Sequence, residues 1–115
     1  MKLSRVTLAL AVAVLFSLVL SAQTEFPRMT SVDPVTTKPG AEVVAGGENL
    51  DKTHVAEVFL TDGEHDTKVE VLDQSASAIR FKVPDSMKPG RFSLMVLTAT
   101  KPPRLIEQPV RLTVE

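Results

Sequence analysis

Turn-forming pairs interrupt this chain so often that a long helix has no room to form. They are Asp33-Pro34, Pro39-Gly40, Gly46-Gly47, Asp62-Gly63, Pro84-Asp85, Pro89-Gly90 and Pro102-Pro103. Proline locks φ and lacks an N–H, while glycine enters backbone regions closed to other residues, so each pair ends regular structure. Between the pairs lie short runs rich in Val, Phe, Leu, Ile and Thr. Short apolar strands with turns between them point to an all-β sandwich or barrel.

Alternation sharpens that reading, because side chains along a strand point to opposite faces in turn. In Ala78 to Val83, Ile79, Phe81 and Val83 fall on one face and Arg80 and Lys82 on the other. Val110 to Glu115 repeats the pattern, as does Lys68-Val69-Glu70-Val71, with Val69 and Val71 inward. Arg91 to Thr98 is apolar on both faces. Phe92, Leu94 and Val96 are its core face, and Met95 and Leu97 lie on a side that is either covered or a contact surface. His54 to Thr61 places Val58 and Leu60 inward and Phe59 opposite. Short strands at Met29 to Val32 and Glu42 to Ala45 bring the count to about seven, the number of an immunoglobulin-like sandwich. The chain contains neither Cys nor Trp, so a core of this kind must hold by packing and strand pairing alone. A dozen buried Val, Leu, Ile or Phe side chains, at roughly 1.5–3 kcal/mol each, supply that driving force.

The first 22 residues read as something other than fold. Lys2 and Arg5 precede an apolar run from Val6 to Leu20, and the small pair Ser21-Ala22 leads into Gln23. Positive, apolar and small in that order is a secretory signal peptide, with cleavage expected after Ala22 and localisation secreted or periplasmic. The run is short for a bilayer span. An uncleaved leader would be the chain's one membrane contact. The expected domain is therefore 23–115. Lys2 and Arg5 leave with the leader, so 13 basic side chains become 11 against 14 acidic ones, a net charge of −3. That balance offers no pull toward nucleic acid.

The order of the pieces resembles IPT/TIG domains. Ser31-Val32-Asp33-Pro34 is similar to that family's opening strand. Lys38-Pro39-Gly40 through Gly46-Gly47-Glu48-Asn49-Leu50 is similar to its turn, short strand and Gly-x-Asn-Leu motif. Val58-Phe59-Leu60, Ile79 to Pro84, Pro89 to Val96 and Val110 to Val114 follow in the family's order. The resemblance covers Phe26 to Glu115 and implies an early-set immunoglobulin-like sandwich of bacterial type. It departs at Thr61-Asp62-Gly63, where many members carry Gly-Gly.

The residues have physical readings beside the resemblance. Structural turns are expected at Pro34, Gly40, Gly46, Asn49, Pro84 and Gly90. Gly40 and Gly90 follow proline, as the third position of a type II turn requires. Gly46 or Gly47 would end a strand at a sharp bend. Asn49 would bond its own backbone, and Pro84 would stop the Ile79 strand. Lys101-Pro102-Pro103-Arg104 reads as a rigid connection.

Candidate chemistry is sparse. Asp62, Glu64, His65 and Asp66 gather three carboxylates and an imidazole in five residues. That set could hold a calcium or transition ion, but the spacing matches no calcium loop, and a solvated hairpin tip is the favoured reading. His54 could join His65 only if the fold brings their loops together. No serine stands in a nucleophile-elbow setting. The sequence thus predicts no enzyme, no cofactor and no catalytic residue. It predicts an extracytoplasmic binding or assembly module for protein or carbohydrate. Alternatives are a self-associating envelope component, or, less favoured, a metal-binding protein or small hydrolase.

Overall fold

The computed structural model describes residues 26–115; the leader reading, residues 1–22, lies outside them. Nine strands and no helix are present among the described residues: β1 Arg28–Asp33, β2 Thr36–Thr37, β3 Glu42–Glu48, β4 Val55–Thr61, β5 Asp66–Lys68, β6 Glu70–Gln74, β7 Ala78–Lys82, β8 Gly90–Thr98 and β9 Leu105–Val114. They form a four-stranded sheet in the order β1-β3-β7-β6 and a five-stranded sheet in the order β2-β9-β8-β4-β5. Every pairing is antiparallel except β2 with β9. The expected all-β, immunoglobulin-like sandwich is the observed architecture.

The inward faces are those the alternation singles out. Val43, Ile79, Phe81 and Val83 from one sheet meet Val58, Leu60, Leu94, Val96 and Leu112 from the other, all fully buried. Two additions raise the count above seven. The two-residue β2 pairs with the end of β9 through Thr36↔Thr113 and Thr37↔Val114, too brief for alternation to reveal. The Lys68–Val71 run is also two strands. At Val69, whose N–H donates to Val58 O at 3.0 Å, the chain leaves the five-stranded sheet at β5 and enters the four-stranded sheet at β6. Val69 is buried at the crossover while Val71 is only half-buried.

Several turn expectations need correction. Gly40 does sit in a type II turn, with φ 83° and an Ala41 N–H···O=C Lys38 bond of 3.1 Å. Gly90 does not. Its φ of 157° is far from the +80° that the third position of a type II turn takes, and it already pairs with Val114 as the first residue of β8. Gly46 and Gly47 do not end their strand; both lie inside β3. A Cβ on Gly47 would stand 1.9 Å from the Arg28 carbonyl oxygen, and one on Gly46 would stand 2.8 Å from Ser31 Oγ. The pair exists so that β1, irregular between Met29 and Ser31, can lie against β3 (bulges and close backbone approach are where strand glycines occur). Asn49 adopts φ 54°, but its Nδ2 donates to Phe26 O at 3.2 Å instead of to its own backbone. Pro84 stands two residues past the end of β7, after Val83 N–H has bonded Ala41 O. Pro34 lies in the segment between β1 and β2, joined to Asp33 by a cis peptide.

The prolines of 101–104 lie between β8 and β9, where Arg104 N–H donates to Thr98 Oγ1 at 2.9 Å. A buried polar contact joins the two sheets. Gln108, 4% exposed on β9, accepts the Met29 N–H of edge strand β1 at 2.7 Å. A buried N–H without a partner is costly, so this side chain substitutes for the missing neighbour of β1.

Candidate functional site

A cleft of about 530 Å³ opens at one end of the sandwich. One wall is the β4–β5 hairpin, contributing Asp62, His65 and Thr67; the other is the β7–β8 connection from Ser86 to Pro89 with Arg91 and Phe92. Met87 and the buried Phe92 make an apolar floor against the core. Lys88 and Arg91 are exposed and have no ion-pair partner among the described residues. The cleft continues onto the outer face of the five-stranded sheet as a shallower depression of about 290 Å³ that reaches Ser93, Glu107 and Arg111.

The hairpin tip is built by Asp62. Its Oδ1 accepts the N–H groups of Glu64 and His65 at 2.9 and 2.7 Å, closing an Asx turn. Gly63 takes φ 96° between them, and its N–H donates to Thr61 Oγ1. Those backbone bonds, from His65 first and Glu64 second, hold the Asp62 carboxyl below its usual range. The His65 ring lies 3.6 Å from Asp62 Oδ2. Glu64 and Asp66 are exposed and do not line the cleft. Among the described residues, no three acidic or imidazole side chains converge to hold a metal ion. Asp62 engages Oδ1 on its own turn and leaves Oδ2 on the side of the His65 ring.

His54 does not join His65. It immediately precedes β4, whereas His65 follows the other end, so seven residues separate their loops, about 23 Å of extended chain. Nδ1 of His54 lies 2.8 Å from Asp51 Oδ1. Asp51 is itself held below the usual carboxylate range, chiefly by the Thr53 hydroxyl. The sequence singled out Asp62, His65 and Gly90 of the cleft. It missed Met87, Lys88 and Arg91, because nothing local says that the segment after Pro84 folds back beside the hairpin tip. The Pro84 carbonyl, accepting Met87 N–H at 3.1 Å, forms that turn.

An open cleft with an apolar floor, two cations without an ion-pair partner, two hydroxyls, a carboxylate and an imidazole can bind a flat polar molecule with one apolar face. It lacks an assembled nucleophile and base: His65 faces Asp62, and no serine hydroxyl bonds to it.

No protein-family model matches the sequence, and no curated protein matches it. Solved structures do share the fold. A candidate DNA binding protein from Bacteroides vulgatus aligns at TM-score 0.66 and 18% identity over 80% of this chain and 48% of that one. The SGBP-B protein of the Bacteroides ovatus mixed-linkage glucan utilization locus, in complex with a heptasaccharide, aligns at 0.57 and 15% over 80% and 23%. A candidate phosphatase from Bacteroides thetaiotaomicron aligns at 0.55 and 16% over 76% and 18%. This chain therefore spans less than half of each. Proteins of such different description share this sandwich, so the likeness carries fold and not function.

Proposed function

We propose that the protein is an extracytoplasmic, non-catalytic binding module of IPT/TIG-like type, and that its end cleft takes a saccharide. The cleft carries this reading. Sugars present apolar C–H patches beside hydroxyls, and the cleft sets Met87 and Phe92 beside Lys88, Arg91, Asp62 and His65. Pockets of this volume with few polar groups around an apolar floor are the usual form of small-ligand sites. Lys and Arg donate and the carboxylate accepts, so vicinal hydroxyls could be held from both sides. A saccharide-binding protein among the fold's relatives supports the choice of ligand.

Catalysis is disfavoured by the same geometry. Glycoside cleavage needs two carboxyl groups facing across the bond, and Asp62 is the one carboxylate lining this cleft. Export rests on the leader, and the cut after Ala22 is checked by N-terminal sequencing of protein recovered from outside the cytoplasm.

The binding test is a glycan array probed with wild-type protein and with Lys88→Ala/Arg91→Ala. The expected result is a defined set of glycans bound by the wild type and lost in the variant. Glycan binding unchanged in the variant would refute the cleft, and a wild-type array with no signal would refute the ligand class.

A further inference from the structure

The outer face of the five-stranded sheet is open among the described residues except at the buried Thr61, and strand register arranges it in rows. Across β9, β8, β4 and β5, the first row reads Arg111, Ser93, Thr61, Asp66. The second reads Glu107, Met95, Phe59, Lys68, and the third Leu105, Leu97, Glu57. Residues directly opposite share a face, so each row is a line of neighbouring side chains. The first two rows end in opposite charges, and their order reverses from one row to the next. Phe59, Met95 and Leu97 lie half-buried at the centre, with Leu105 54% exposed at the rim. A contiguous apolar patch rimmed by charge marks an interaction site.

We infer that this face docks on a second copy of the chain, about a twofold axis running along the strands between β8 and β4. Such an axis places β9 over β5 and β8 over β4, as an isologous interface requires. Arg111 then meets the second copy's Asp66, Glu107 its Lys68, and Met95 its Phe59. A twofold running across the strands midway between the first two rows would also oppose unlike charges. It would, however, set Met95 and Phe59 against Ser93 and Thr61. In the first two rows only the axis along the strands matches charge with charge and apolar with apolar. Glu57, tied to Lys68 of its own chain at 3.0 Å, faces Leu97 through its aliphatic stem. The depression bounded by Ser93, Glu107, Pro109 and Arg111 receives the second copy's short β5 edge.

The face is small. Four strands and three rows cover about 20 Å by 20 Å, so a pair buries roughly 800 Å² in total, half of a standard interface. The dimer is accordingly weak and forms at high local concentration. Its axis points both end clefts the same way, which would let one long ligand engage two sites. That consequence rests on the saccharide reading; the docking does not.

Sedimentation equilibrium from 10 μM to 1 mM tests it, with glycan binding measured separately on the same samples. Wild type should show a monomer–dimer equilibrium. Arg111→Glu and Asp66→Lys should each raise the dissociation constant about tenfold or more by opposing like charges. The double variant should return to within about threefold of wild type. Three strand spacings, about 14 Å, separate the two residues within one chain, so the rescue must be intermolecular. A wild type still monomeric at 1 mM would hand the face to another occupant and overturn the inference. So would a dimer indifferent to either reversal, or a double variant that stays dissociated, as the across-strand axis requires.

Discussion

Replacing Gly47 with alanine adds one methyl group at the place where β1 and β3 approach most closely. In the native structure its Cβ would lie 1.9 Å from Arg28 O and 2.9 Å from both Arg28 C and Met29 Cα. All three are backbone atoms, so no side chain can rotate away. Restoring an ordinary contact requires β1 to retreat by more than 1 Å, since Cβ contacts below 3.0 Å are essentially never seen. That retreat strains the pairs Arg28↔Glu48 and Met29↔Gly47. It also displaces Met29, fully buried, within the core and crowds it against Gln108, which already accepts its N–H at 2.7 Å. Two or three weakened hydrogen bonds at about 0.5–1.5 kcal/mol each, with part of the 2–5 kcal/mol for a buried Met, give about 3–4 kcal/mol of destabilisation. For a domain of this size that lowers Tm by about 12–30 °C. Gly63→Ala is the control. Gly63 has φ 96° but nothing within 4 Å of its Cβ position, so only backbone strain of about 1–2 kcal/mol applies. Urea unfolding of both variants and wild type measures the difference. If Gly47→Ala lost less than Gly63→Ala, the close approach of β1 would be wrong.

Gln108→Leu leaves the buried Met29 N–H without its acceptor and should cost about 1–3 kcal/mol in chemical denaturation. Phe81→Ala, emptying the largest fully buried side chain, should cost about 3–5 kcal/mol, read as a lower denaturation midpoint. The Asp62 carboxyl titrates below its ordinary value because the turn N–H groups of His65 and Glu64 prefer its charged form. Its stabilisation of the tip is therefore present above pH about 4 and lost as pH falls through the depressed pKa. The Glu64 and His65 amide resonances should move with a midpoint below pH 3.8, and Asp62→Asn should abolish that transition.

The inward faces were legible because burial of one face imposes period two on the sequence. Ile79, Phe81, Leu94, Val96 and Leu112 follow that rule, and all are fully buried. What the alternation could not show was where a strand changes sheets. Lys68 to Val71 alternates smoothly through the crossover at Val69, since both sheets bury the same side of the chain. Gly46 and Gly47 showed as an irregularity, but a bend and a close strand approach leave the same mark in one dimension. The cleft was half legible. Asp62 and His65 stand out as a charged tip, whereas Lys88 and Arg91 become site residues only through the turn after Pro84. The outer-face charge rows depend on register across four strands, which no local pattern encodes.

Amide chemical-shift mapping during titration with a glycan that the array identifies tests the central functional claim most directly. Perturbations gathered at Asp62, His65, Met87, Lys88 and Arg91, with the saccharide recovered intact, are the predicted result. Perturbations confined to another surface, or a glycan returned as shorter fragments, would contradict the reading of this cleft as a non-catalytic sugar site.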